Sequence, residues 1–207
     1  MNNTPILELK NIVKTFPGVR ALKGVDLNIY PGEVHALCGE NGAGKSTLLN
    51  MIGGIEYPDS GSIIVNGFDV AKKKKQKYFS EVVGFLFQNF ALLENKTVLE
   101  NLNLIKKTGR TDVSIDEALK KVGLEKEKNK KVYKLSGGEQ QRVALARLMI
   151  KKCSVLLADE PTGSLDKKNS EIVMKILHDL NRQGKTVIVV THDDDIIEKE
   201  DMVIYLS

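Results

Sequence analysis

The chain reads as an α/β protein with a mainly parallel sheet, and three observations predict it. Short, continuously apolar runs rich in β-branched residues recur along its 207 residues, the pattern of strands buried on both faces. Segments with apolar residues at helical spacing lie between them, and strands alternating with helices build parallel layers. One stretch, Lys96 to Lys134, breaks the alternation with helices joined by charged, lysine-rich connections. It is expected to be a small helical subdomain, about residues 90–150, inserted in a single domain that takes up the whole chain, 1–207.

In chain order, Ile6–Val13, Val25–Tyr30 and Val34–Cys38 are expected strands, and a glycine-rich loop then leads into a helix over Lys45–Ile52. Ile63–Val65 and Val82–Phe87 follow as strands, then helices over Val98–Lys107, Ser114–Val122 and Glu139–Lys151. Val155–Ala158 is a strand, Asn169–Arg182 a helix, and Val187–Val190 and Met202–Leu206 are the last strands. In the Asn169–Arg182 helix, Ile172, Val173, Ile176, Leu177 and Leu180 keep the 3.6-residue spacing of a buried stripe. Gly184 is placed to end it in a left-handed conformation.

Composition removes several function classes. Thirty-one basic against 27 acidic residues leave a net charge of +4, too slight for a dedicated nucleic-acid binder. With 28% charged and 42% hydrophobic residues the chain is neither disordered nor fibrous. Its longest run free of polar residues, Val82–Phe87, is far short of the ~20 residues of a membrane span. Met1–Lys10 lacks the basic-then-apolar layout of a signal peptide. Cys38 and Cys153, each among apolar neighbours, read as reduced core thiols. A cytoplasmic location is expected. The lysine cluster Ala71–Lys77 reads as a solvated face, or as a surface turned toward an anionic membrane.

The glycine-rich loop carries chemistry. Gly39, Glu40, Asn41, Gly42, Ala43, Gly44, Lys45, Ser46 and Thr47 match G-x-x-x-x-G-K-[ST] between a strand and a helix. A nucleoside triphosphate needs several backbone N–H groups turned inward at its oxygens, and glycines let the chain curl that tightly. The helix adds its positive N-terminal end. Lys45 would bridge the β- and γ-phosphates, and the Ser46 hydroxyl would ligate Mg²⁺. The motif signals nucleotide binding without naming the enzyme, and a P-loop NTPase core is the expected fold.

Val155–Glu160 is an apolar strand ending in two carboxylates. A carboxylate at a buried strand end asks for a cation. Asp159 is expected to hold Mg²⁺ from a strand beside the phosphate loop. Glu160 is placed to polarise an attacking water as general base. Leu135–Arg142, LSGGEQQR, opens a helix with Ser136 and Glu139 in the S-x-x-E capping pattern. Gly137 and Gly138 expose free N–H groups there, a second anion-binding surface.

The phosphate loop, Gln88, LSGGEQQR, Asp159–Glu160, Ser164-Leu165-Asp166 and Thr191-His192 occur in that order. Together they resemble the nucleotide-binding domain of an ATP-binding-cassette (ABC) transporter over essentially the whole chain. The resemblance implies an N-terminal antiparallel β-subdomain and an ATPase working with Mg²⁺. It implies that Phe16 stacks on adenine and that Gln88 senses Mg²⁺ and the water. Ser136 and Gly138 would contact the γ-phosphate of ATP held by a second copy, or a homologous subunit. Asp166 would sit at that interface, and His192 would hydrogen-bond the γ-phosphate. Two cassettes would sandwich two ATP molecules, on the inner face of the cell membrane, and drive a membrane-spanning permease. Phe90–Leu93 reads as part of the groove for that permease or as core packing. No nucleic acid is expected.

Arg20–His35 and the phosphate loop resemble the ATPases of monosaccharide importers. From Val83 onward, through LSGGEQQR, TGSLD and VTHDDD, the chain resembles exporters of bacteriocins, antimicrobial peptides or lipoproteins. The export likeness covers more of the chain. The stretch from Gln88 to Ser136 is too short for the long coiled coil of repair-type ABC ATPases. Asn95-Lys96 and Asn129-Lys130 lack the aspartate of the guanine-reading [NT]-K-x-D, which argues against a GTPase. Glu160 and His192 argue against a non-catalytic nucleotide sensor.

Overall fold

A computed structural model describes residues 4–40, 42–72, 75–163, 165–198 and 202–206. Two sheets organise them. The first is antiparallel and pairs β1 (Leu7–Phe16) with β2 (Val19–Ile29), β4 (Ser60–Val65) and β5 (Phe68–Asp69), in the order β2-β1-β4-β5. Both opening strands run further than their apolar runs suggest. An antiparallel sheet with one wet face accepts polar residues at alternate positions, so Lys14 and Thr15 still pair with Leu22 and Arg20. Gly18, at φ +84°, closes the tight hairpin.

The second sheet is wholly parallel. Its strands β3 (Val34–Gly39), β6 (Val83–Leu86), β7 (Val155–Asp159), β8 (Thr186–Val190) and β9 (Met202–Leu206) lie in the order β6-β7-β8-β3-β9. Period-two alternation sends Val155, Leu157, Ile188 and Val190 to one side, where they pack with Leu48 and Leu49 and with the antiparallel sheet's Leu7, Leu9 and Ile12. Leu156, Ala158, Val187 and Val189 face the other side and the remaining helices. Both faces are buried, which is why these strands read as unbroken apolar runs.

Helix α1 (Lys45–Ile52) follows β3 with the bounds the sequence predicts. Before β6, a short helix α2 (Lys75–Lys77) widens into a five-residue π turn, Tyr78–Val82. It is tied down by buried Tyr78, whose hydroxyl donates to the Ile52 carbonyl. Between β6 and β7 lie α3 (Val98–Asn103), α4 (Ile115–Lys121) and α5 (Gly137–Ile150), each opened by a capping box. α3 ends four residues short of the predicted Lys107. Arg110 Nε takes the Ile105 carbonyl at 2.8 Å, and Lys107–Gly109 forms a separate 3₁₀ turn. α5 begins at Gly137 rather than Glu139. First-turn N–H groups have no intrahelical acceptor in any case, so the glycine pair fits inside the helix.

α6 (Lys167–Arg182) carries the predicted buried stripe, and Gly184 follows it at φ +91°. α7 (Asp194–Ile197) is a single turn before β9. Both cysteines are free, Cys38 buried and Cys153 half-buried. Of the lysine cluster, Lys73 and Lys74 lie outside the described residues. Among the described residues no helix is long and apolar enough to cross a membrane.

Candidate nucleotide site

The glycines of the loop serve different needs. A Cβ on Gly39 would stand 2.4 Å from the Leu206 carbonyl oxygen, so that glycine lets β3 and β9 approach. Gly44, at φ +82°, would drive a Cβ to 2.7 Å from the Ala21 carbonyl oxygen and 2.9 Å from Leu22 Cδ2. A Cβ on Gly42 meets nothing within 4 Å. Lys45 is buried, and its ammonium donates to the carbonyls of Gly39 (2.6 Å) and Glu40 (3.0 Å). It thereby closes the loop around itself. Asn41 lies outside the described residues.

Asp159 reaches the loop, but not from the neighbouring strand. The sheet order sets β8 between β3 and β7. The C-terminal ends of parallel strands share one edge of the sheet, so contact survives: Ser46 Oγ donates to Asp159 Oδ1 at 3.0 Å. Burial raises the Asp159 pKa and the Glu160 charge adds to the rise, while the Ser46 hydroxyl and Lys45 oppose it. That balance is one a cation would relieve. Among the described residues no cluster of three or more His, Cys, Asp or Glu is fit to hold a metal. A cation at Ser46 and Asp159 would therefore take its other ligands from water and substrate oxygens, the habit of magnesium.

Glu160 sits in the left-handed region at φ +46°, its N–H donating to the Val190 carbonyl at 3.0 Å. Such a backbone costs ~1–2 kcal/mol in a residue with a side chain and is characteristic of functional turns. Its Oε2 lies 2.9 Å from His192 Nδ1. The contact is close enough for an ion pair but off the line of a hydrogen bond, and that buried oxygen accepts none from the described residues. The carboxylate holds the His192 pKa above its usual value, although the imidazole is two-thirds exposed at 66%. Thr191, buried beneath it, accepts the Asp193 N–H at 3.0 Å.

These groups open on one cavity of about 300 Å³, lined by Phe16, Val19, Ala21, Gly42, Gly44, Lys45, Ser46, Thr47 and Glu160. Phe16 stands in its wall, with Lys14 Nζ 5.4 Å from the ring centroid. Gln88 is exposed two residues past Leu86, whose register partner on β7 is Ala158. It shares the edge of Asp159 without a described contact to it.

A second cluster forms at the start of α5. Ser136 Oγ accepts the Glu139 N–H at 3.3 Å, and Glu139 Oε2 accepts the Ser136 N–H at 2.8 Å. The Ser136 N–H is also what chiefly lowers the Glu139 pKa. Arg142 donates to Asn169 Oδ1 at 2.6 Å. Asn169 in turn donates its backbone N–H and its side-chain amide to the Asp166 carboxylate, both at 2.8 Å. Asp166 thus caps α6, which lowers its pKa. A Cβ on Gly138 would lie 3.6 Å from Asn169, so the Ser136–Glu139 segment and Asp166 form one unit. Buried Gln141 donates to the Pro161 carbonyl and links that unit to the loop after Glu160. Within one copy, no described contact joins Ser136, Gly137, Gly138 or Glu139 to Lys45 or Ser46.

Phe90–Leu93 divides between its two readings. Phe90 (φ +60°) and Ala91 (φ +45°) form a turn clamped by Arg147, which donates to both carbonyls at 2.8 and 2.6 Å. Phe90 and Leu92 pack on the helical core, whereas Leu93 is exposed. Ala91 lines a cavity of about 280 Å³ that shares Phe79, Ile105 and Lys151 with a neighbour of about 1000 Å³. Sequence reasoning missed Val19, Ala21, Arg142 and Asn169. The Asp166-x-x-Asn169 spacing was the one local signal, since aspartate is a strong N-cap.

The chain was compared with known proteins. The family model described as ABC transporter matches residues 22–163. An uncharacterized ABC transporter ATP-binding protein, YvrO, of Bacillus subtilis is 40% identical over 97% of this chain and 93% of its own length. The lipoprotein-releasing system ATP-binding protein LolD of Bacteroides fragilis is 39% identical over 97% of each chain. The macrolide export ATP-binding/permease protein MacB of Chlorobaculum tepidum is 42% identical, and the alignment spans 98% of this chain but 33% of that protein. Among solved structures, a dimeric MJ0796, described as a bacterial ABC transporter cassette, superposes with a TM-score of 0.87 at 39% identity, over 97% of this chain and 94% of the other. A dimeric post-hydrolysis state of MJ0796 bound to ADP and Pi gives 0.85 at 37% identity, with the same coverage.

Proposed function

The chain belongs to the ABC transporter family, and from that premise we propose that it is the ATP-hydrolysing subunit of an export system, working as a dimer against a membrane permease. One observation carries the catalytic part: buried Glu160 Oε2 lacks a hydrogen-bonded donor in the cavity that holds Lys45 and Ser46. A carboxylate oxygen that accepts no hydrogen bond and has only the His192 ring beside it, next to a phosphate loop, is what a general base for water needs. His192, next to it, steadies that carboxylate and presents its exposed ring to the terminal phosphate. Phe16 offers its face to the base, and Lys45 trades the Gly39 and Glu40 carbonyls for phosphate oxygens. Ser46, Asp159 and Gln88 would hold Mg²⁺, which when bound neutralises phosphate charge.

The second cluster has no nucleotide within its own copy. We assign Ser136, Gly137, Gly138, Glu139 and Asp166 to the ATP of the facing subunit. Residues 90–150 act as the helical subdomain that carries the first four, and Asp166 joins them from the start of α6. The dimeric cassettes among the structural relatives support this arrangement. Export is favoured by the relatives named for macrolide export and lipoprotein release. Their alignments include the N-terminal part, so the likeness of Arg20–His35 to sugar importers does not set the direction. The joined cavities around Phe79, Ile105 and Lys151 are assigned to the permease, and a subunit docked to it would lie on the inner membrane face. A peptide-like cargo fits the export resemblance.

Glu160→Gln tests the assignment. The variant should bind ATP and dimerise by light scattering while turnover falls ~10²–10⁴-fold. A variant that keeps most of its hydrolysis removes the base.

A further inference from the structure

Outside the nucleotide site, a basic cleft of about 1000 Å³ lies between the end of α4 and the length of α6. Its rim carries Lys120 and Lys121 on one wall and Lys168, Lys175 and Arg182 on the other. Asp179 is the one carboxylate among its lining residues, and it is already paired with Arg182. Lys120, Lys121, Lys168 and Lys175 are exposed, and among the described residues none of them forms an ion pair. Below the rim the floor shows the outer edges of Val122, Met149, Ile176 and Leu180, which are otherwise buried in the core, and half-buried Ile172.

The spacing is informative. Lys168, Lys175 and Arg182 recur every seven residues on α6, and seven residues are close to two helical turns, so they form a nearly straight stripe. At ~1.5 Å rise per residue the stripe is ~21 Å long. A headgroup or a nucleotide concentrates its charge within a few ångströms, whereas these cations are spread along an apolar trough. A ligand that matches both features has an apolar side and negative charges repeating along its length. An amphipathic helix docking in a groove has that form.

We propose that this cleft binds an acidic amphipathic helix of a partner protein, its apolar side on the floor and its carboxylates against the lysine rim. The surface is separate from the nucleotide cavity and from the cavities assigned to the permease, and its end at Arg142 and Asn169 adjoins the Ser136–Asp166 unit. The proposal stands whether or not the catalytic roles do.

The probe is a synthetic acidic amphipathic peptide of about 16 residues, long enough for the stripe at helical rise. Controls are a scrambled peptide of equal composition and phosphatidylglycerol vesicles. Labelled peptide should bind the full chain in fluorescence anisotropy, more weakly as salt rises. The Lys121→Glu/Lys175→Glu variant should bind about tenfold or more weakly, and Lys121→Gln/Lys175→Gln should fall between, both keeping wild-type ATPase as a check on folding. The scrambled peptide should bind about tenfold or more weakly than the ordered one. Equal binding of the two peptides, no peptide binding, or variants that bind like wild type overturn the proposal. Vesicle binding that these variants abolish while peptide binding persists unchanged overturns it in favour of a lipid site.

Discussion

Replacing Gly44 by alanine tests whether the loop is shaped by its packing against β2 as well as by its backbone freedom. At φ +82° the new residue adopts a left-handed backbone, which costs ~1–2 kcal/mol. Its methyl would also stand 2.7 Å from the Ala21 carbonyl oxygen and 2.9 Å from Leu22 Cδ2. Leu22 is buried and β2 is held in register with β1, so neither neighbour can give way cheaply. Forced overpacking of this kind costs ~1–3 kcal/mol more. Gly42→Ala is the matched control: at φ +90° it bears the same backbone penalty, but its methyl meets open space. The difference between the two variants isolates the clash. In urea denaturation Gly44→Ala should be less stable than Gly42→Ala by ~1–3 kcal/mol. In a thermal scan that is roughly 2–12 °C for a chain of this size. Equal midpoints would refute the packing role, whatever happens to ATP affinity.

Two further outcomes are expected. The Glu160 carboxylate raises the His192 pKa, so the imidazole should titrate by NMR above the ordinary value of about 6.5, and Glu160→Gln should move the midpoint down. The pair's small stabilisation is then fully present below the unfolded pKa and lost as pH rises through the folded one. A midpoint that Glu160→Gln leaves in place rejects the pairing. Arg147→Ala should destabilise by ~1–2 kcal/mol, because it removes a charged donor from the part-buried Phe90 carbonyl and the exposed Ala91 carbonyl. Hydrogen exchange should quicken at Phe90 and Ala91, whose left-handed turn the guanidinium clamps; unchanged protection there would show that the turn holds itself.

Legibility followed distance along the chain. The phosphate loop, α1 and the Ser136–Glu139 capping box are local arrangements, and each was readable from a window of a few residues. The antiparallel strands were legible only in their apolar halves, because Lys14 and Thr15 lie on a wet sheet face that resembles a loop in sequence. The Arg142–Asn169 contact spans 27 positions and depends on how α5 crosses α6, so no local pattern announced it. Phe90 and Ala91 gave no warning of positive φ, since neither type favours it; Arg147, distant in sequence, supplies the reason.

Asp159 reaches the loop from a strand that is not the sheet neighbour of β3, and the reason is instructive. Motifs on strand ends report which residues share an edge of the sheet, not which strands are neighbours. With β8 between β3 and β7, the residues just beyond β8 emerge between the two halves of the site. His192 can therefore stand 2.9 Å from Glu160, on the strand that separates Asp159 from the loop. Were β3 and β7 adjacent, β8 would pair with only one of them at a margin, and His192 would flank the site rather than divide it. The interposed strand also aligns Asp159 with Val190, to which Glu160 donates its backbone N–H. That bond fixes the left-handed turn and turns the general base toward the cavity. The interposed strand is thus the feature that joins the acid, the base and the imidazole at one edge.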